Sequence, residues 1–155
     1  MSGMSSTASS MTNQACIVGV GETEYTRWGW MSERGEWGLA CEAVINAVAD
    51  AGLAIEQIDG LASFSNDPSV PWLMQQALGL PRLGLTSMVL GGGGSGTCGA
   101  FAHAVAAVES GQAEYVAVFR SLCQGEGHRY GQLGAITNCP TSASWSRSAC
   151  SRRRL

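Results

Sequence analysis

Cys98 and the glycines just before it are the residues of this chain best suited to chemistry. The run LTSMVLGGGGSGTCGAFAHAVAAVESGQAEYVAVF, residues 85–119, carries four consecutive glycines at 91–94, then Ser95, Gly96 and Cys98. A glycine-rich bend at a helix start admits close approach to the backbone and leaves unpaired N–H groups pointing outward. Gly93, Gly94, Ser95 and Gly96 are therefore candidate substrate-binding residues, able to hold an anion or a developing oxyanion. Cys98 would sit in the first helical turn, where the helix dipole favours negative charge, and is the candidate nucleophile. A plainer reading stands beside it. Cys98, Phe101, Val105 and Val108 fall on one helical stripe, which makes Cys98 a core residue, buried and unreactive. His103 does not serve Cys98 within the helix, because five residues turn it through about 500°, leaving the two about 140° apart. His128, in QGEGHRYGQ, is a second candidate, as an acid/base or a substrate contact. Loops after strands often carry such groups, although an exposed loop histidine is the simpler reading.

Two other glycine motifs are weak. GVGETE at 19–24 begins like a dinucleotide fingerprint, but Glu24 stands where the third glycine belongs. GGGGSG lacks the Lys-Ser/Thr pair of a P-loop.

The elements that must position these residues alternate. Residues 15–21 (ACIVGVG) form a short β-branched run that reads as a buried strand. Residues 36–51 read as a helix with Trp37, Cys41, Val44, Val48 and Ala51 inward, Glu42, Asn46 and Asp50 outward, and Gly52 as its stop. Residues 58–64 read as a strand. Pro71 suits the first turn of a short helix that ends at Gly79. A strand over 85–90, a helix from Ser95 to Gly111 and a strand over 115–119 follow. This order predicts an α/β fold: a mostly parallel open sheet, helices on its faces, and strands beginning at 15, 58, 85 and 115. The helix from Ser95 is apolar on nearly every side, which predicts that it is the most buried.

Composition narrows the function classes. At 155 residues and 45% hydrophobic content, one globular domain is expected. No apolar run approaches a membrane span, and no basic start with an apolar stretch marks a secretory signal. The six cysteines contain no CxxC pair, so free thiols in a reducing cytoplasm are expected and a structural metal is not. A formal charge of −3 argues against a nucleic-acid partner. All twelve acidic residues lie at or before Glu126, and four of the nine arginines at or after Arg147. Three segments follow: a disordered 1–14, a folded 15–133, and an irregular Ser/Arg-rich 134–155. The last reads either as a disordered basic tail or as a truncated or out-of-frame end.

The chain resembles the thiolase-like superfamily, in the branch of lipid-transfer and acetyl-CoA acetyltransferase-like proteins. The resemblance rests on CIVGVGETEYTR, on WGLACEAVINAVADAGL leading into IDGL, and on GGGGSGTCGAFAHAVAAVESGQAEYVAVFRS, in that order. It covers about residues 15–131 and corresponds to the N-terminal half of such proteins. It implies making or breaking a carbon–carbon bond beside an acyl-CoA carbonyl, as an acyltransferase or a retro-aldolase, with the acyl-CoA as substrate and no other cofactor. In a retro-aldolase the thioester is the electron sink and no nucleophilic cysteine is needed.

Two departures bear on mechanism. Counting back from Gly111, the family's nucleophilic cysteine falls on Gly94, and Cys98 comes one turn later. The family's Gly-His-Pro histidine and much of its acyl-CoA pocket lie in a C-terminal half that this sequence does not show. The resemblance therefore implies a half-domain that is inactive alone, from a parent that forms a homodimer along the strand at 85–90. The alternative is a non-catalytic lipid-transfer or scaffold subunit that binds an acyl-CoA partner protein.

Overall fold

The computed structural model of the protein describes residues 15–26, 34–64, 70–89 and 95–123. Nearly all of these belong to a unit made of 1–24 and 36–122, while 25–35 and 123–155 form a second unit that lies mostly outside the described residues. Within the first unit the order is α1 (Gly35–Asp50), β1 (Gly60–Phe64), α2 (Pro71–Leu78), β2 (Leu85–Val89), α3 (Ser95–Glu109) and β3 (Val116–Val118).

The three strands form one parallel sheet in the order β2-β1-β3. Gly60 pairs with Leu85 on one side and Val116 on the other, so the strands enter in step. Central β1 (GLASF) is buried throughout, as expected of a parallel strand covered on both faces. Leu61 packs with Ala40, Val44 and Val48 of α1 and with Met74 and Leu78 of α2. Phe64 lies against α3 on the opposite face. Helix ends follow their sequence signals: Pro71 opens α2, and Gly79 closes it in the left-handed conformation at φ 67°.

The sheet is anchored at its entrance by one carboxylate. Asp59, buried just before β1, accepts the backbone N–H groups of Glu114 and Tyr115 at 2.9 and 3.0 Å through Oδ1. Its carbonyl accepts those of Gly84 and Leu85 at 2.6 and 3.3 Å. One residue thus ties the approaches to both flanking strands.

Residues 15–21 do not form the expected buried strand. They run extended along α1, with Ile17, Val18 and Val20 exposed by 73%, 55% and 74%. The cause is local. Gly19 and Gly21 lie so close to Ala43, Ala47 and Ala51 that a Cβ would collide with the helix. The N–H of Val20 donates to Asp50 Oδ2 and Asn46 Nδ2 donates to the Glu22 carbonyl, both at 2.9 Å. Asn46 and Asp50, expected to face away, are what hold this segment, and their polar groups replace the ladder a neighbouring strand would supply. Trp37, expected inward, is exposed, and Leu39 and Ala40 take the buried positions.

The expected burial of α3 is also corrected. Its buried stripe is Gly96, Ala100, Ala104 and Ala107. Phe101 and Val105 are each 42% exposed, and Cys98 is exposed. A helix lying close on a sheet needs small residues at the contact, so the alanine stripe turns inward and the bulkier stripe outward. Both stripes are apolar, and periodicity alone does not choose between them.

Candidate functional site

The parallel strands bring their C-terminal ends to the start of α3. Gly99 packs at the end of β2, where a Cβ would stand 3.0 Å from Val89 Cγ1. Gly96, in the first turn, lies over the ring of Phe64, the last residue of β1, and a Cβ there would be 2.9 Å from Phe64 Cδ2. A side chain at 96 would therefore force the Phe64 ring to shift. Open α/β sheets bind ligands at this edge, outside the carboxyl ends of their strands.

Arg120 follows β3 and meets the same ring, with Cζ 4.5 Å from the Phe64 centroid. Its backbone is held on both sides. Phe119, buried, donates its N–H to the Ala62 carbonyl at 3.0 Å, and Ser121, buried, donates its hydroxyl to the Glu36 carbonyl. Phe64 is buried, so the guanidinium rests on a ring enclosed by the fold. A cation over an aromatic face gains about 0.5–2 kcal/mol, more as it is desolvated. Ser63, one residue earlier, is fully buried, and its Oγ has no hydrogen-bond partner among the described residues. Strand alternation places it on the Leu61 side of the sheet, away from α3.

The candidate residues named from sequence fare differently. Ser95 and Gly96 occupy the first turn of α3 as expected. Gly93, Gly94 and His128 lie outside the described residues. Cys98 is exposed rather than buried, because the alanine stripe faces the sheet in its place. No hydrogen bond joins it to a base among the described residues. His103 is engaged elsewhere: its Nδ1 lies 2.6 Å from Ser87 Oγ on β2. The nucleophile–base contact of an activated thiol is thus not assembled among these residues. Cys41 behaves oppositely to Cys98. It is half-buried, its Sγ lies 3.6 Å from Met74 Sδ, and burial pushes its thiol pKa up. No group of three or more His, Cys, Asp or Glu side chains among the described residues is arranged to hold a metal. No helix is long and apolar enough to cross a membrane there.

Sequence reasoning missed Phe64, Arg120, Ser87 and Asp59. One signal was available for Arg120, since it is the first charged residue after an apolar strand, at the edge where such sheets bind ligands. Nothing local marked its pairing with Phe64, which is 56 residues away.

No family model matches the chain. The chain is similar to steroid side-chain-cleaving aldolases. It is 37% identical over 123 residues to the 17-hydroxy-3-oxo-4-pregnene-20-carboxyl-CoA lyase of Mycobacterium tuberculosis, a match covering 79% of this chain and 31% of that one. It is 41% identical over 117 residues to a steroid side-chain-cleaving aldolase of Thermomonospora curvata, covering 76% of this chain and 29% of that one. Among solved structures, a chain of the Ltp2-ChsH2(DUF35) aldolase superposes with a TM-score of 0.65 at 35% identity, over 83% of this chain and 31% of that chain. The chain thus spans about a third of the length of the relatives it matches. These relatives are named as a carboxyl-CoA lyase and as aldolases. They do not support thiolysis or acetyl transfer specifically.

Proposed function

We propose that this chain is the N-terminal portion of a retro-aldolase that cleaves a carbon–carbon bond next to an acyl-CoA thioester, on a steroid side chain. The observation that carries the reading is the 37–41% identity to two steroid side-chain-cleaving enzymes over more than three quarters of this chain. The chemistry is self-consistent. In a β-hydroxy thioester a base takes the hydroxyl proton and the oxygen forms a carbonyl. The bond between the α and β carbons then breaks, and its electron pair moves into the thioester as an enolate. Stabilising that enolate oxygen needs preorganised donors rather than a nucleophile. The first turn of α3 offers backbone donors at the strand ends, and the missing base at Cys98 is no obstacle.

Alone, the chain is proposed to be inactive. Groups must be held within hydrogen-bond reach of the reacting atoms for catalysis, and the relatives are about three times as long as the matched region. A DUF35-type partner, named with the structural neighbour, is the proposed acyl-CoA-binding subunit of the intact protein. The outer edge of β2, unpaired among the described residues, is the proposed seam for a second copy.

The test is cleavage of a 17-hydroxy steroid carboxyl-CoA thioester, followed by appearance of the ketone and the shortened acyl-CoA. It is run with this chain alone and with a full-length version, each with and without the DUF35-type subunit. Turnover only in the full-length arms is expected. A full-length protein that cleaves no such thioester, even with the partner, overturns the reading. The scaffold alternative predicts that the partner alone accounts for all turnover.

A further inference from the structure

We infer that Trp37 and Trp72 hold the steroid ring system of the substrate; this rests on the aldolase reading above. The proposed partner subunit holds the coenzyme A end of that molecule, and the rings lie on the other side of the scissile bond. Three observations carry the inference. Trp37 and Trp72 are 43% and 59% exposed, although indole is a large group whose burial is favourable. Both stand at the edge of the sheet where the candidate site lies. Trp37 is in the first turn of α1, next to Glu36, whose carbonyl accepts the hydroxyl of Ser121 just beyond β3. Trp72 follows Pro71 in the first turn of α2, the helix entered from the end of β1. The two first turns are also neighbours. Cys41, one helical turn after Trp37 on the same stripe, has its Sγ 3.6 Å from Sδ of Met74, which closely follows Trp72 in α2. Apolar side chains exposed singly are ordinary. Two indoles at the starts of adjacent helices, beside the edge where open α/β sheets bind ligands, make a paired apolar contact. A fused steroid nucleus is flat, rigid and apolar, so it covers aromatic surface and gives up little conformational freedom on binding. The tryptophans belong to the layer opposite α3. A substrate with its thioester at the first turn of α3 would run its rings across the end of β1 toward them.

The experiment titrates a 17-keto steroid, the ketone that the proposed cleavage releases, into the purified 155-residue chain by calorimetry. A linear fatty alcohol is the comparison ligand. Trp37→Ala and Trp72→Ala are each expected to weaken steroid binding at least about tenfold, the loss of a large aromatic contact, and to change binding of the alcohol less. Trp37→Phe and Trp72→Phe keep an apolar ring and are expected to recover part of the loss. A second measurement needs no substitution: in the 15N-labelled chain, the indole N–H signals of Trp37 and Trp72 are expected to shift on steroid addition. Steroid binding unchanged in either alanine variant, indole signals that stay in place, or no steroid binding by the unsubstituted chain each overturns this inference. The aldolase reading is untouched by these outcomes, since it stands or falls on cleavage by the full-length protein. Equal weakening of the fatty alcohol makes the tryptophans a general apolar surface and also overturns the inference. So do alanine variants that bind the steroid normally but, in the full-length protein, no longer retain the DUF35-type subunit.

Discussion

The two ends of the sheet are built on opposite principles. At the entrance, Asp59 is buried and engaged by its neighbours: two backbone N–H groups on one carboxylate oxygen, Arg82 3.5 Å from the other, and two more N–H groups on its carbonyl. At the exit, Phe64 underlies a glycine in a helical first turn and supports an exposed arginine, and the hydroxyl of Ser63 is buried without a partner among the described residues. A charged group satisfied by its own fold stabilises structure. At the exit a charged group lies exposed on a buried ring, beside the first turn of α3. Charge alone does not separate the two ends of this sheet; burial does, with Asp59 inside the fold and Arg120 at its surface.

Substitution at the entrance should cost the most. Asp59→Ala leaves buried N–H groups of Glu114 and Tyr115 without an acceptor and should destabilise the chain by about 3 kcal/mol, read from urea unfolding. Asp59→Asn keeps an acceptor oxygen and should recover part of that. If Asp59→Ala unfolds at the same urea concentration as the unsubstituted chain, the entrance is not the structural end. The Arg82 contact contributes little, because Arg82 is 80% exposed.

At the exit, Gly96→Val should drive methyl groups into Phe64 and cost about 1–3 kcal/mol in the same measurement, with Gly96→Ala costing less. The comparison sharpens if Gly96→Ala weakens binding of the 17-keto steroid while Asp59→Asn does not.

The thiols divide along similar lines. Iodoacetamide at neutral pH should label Cys98 before Cys41, resolved peptide by peptide in a mass spectrometer, since Cys98 is exposed and Cys41 is desolvated. The Cys41 pKa is raised in the folded chain, so the unfolded chain loses its thiol proton first. Stability from this group is therefore intact below the ordinary thiol range and falls as pH rises through it. Faster labelling of Cys41 would show that its packing against Met74 does not exclude water.

The smallest effect is expected between the two ends. Ser87→Ala removes the hydroxyl 2.6 Å from His103 Nδ1. Because the pair is exposed, the loss should be under about 1 kcal/mol. A larger loss in urea unfolding would make this contact a principal tie between β2 and α3.

Much of the fold was legible in the sequence. Pro71 and Gly79 bound α2, Gly111 follows α3 in the left-handed conformation at φ 72°, and the strands begin within two residues of their expected positions. These signals are local, set by φ restrictions and by runs of apolar residues. What escaped depended on distant partners. Residues 15–21 have strand composition, but whether they join a sheet depends on which edge is open, and here the alanine stripe of α1 receives them. The inward face of α3 was misread because Phe101 and Val105 are more hydrophobic than Ala100 and Ala104, whereas the sheet selects for close approach. Of the site, Ser95 and Gly96 were named because glycine and helix starts leave a mark in sequence. The stack of Arg120 on Phe64 leaves none.

Amide chemical-shift mapping on addition of the 17-keto steroid tests the contrast between the two ends most directly. In the 15N-labelled chain, shifts concentrated at Trp37, Phe64, Trp72 and Gly96, with Asp59, Gly84 and Tyr115 unmoved, are the predicted result. Shifts centred on the Asp59 end, or none at the Phe64 end, would contradict it.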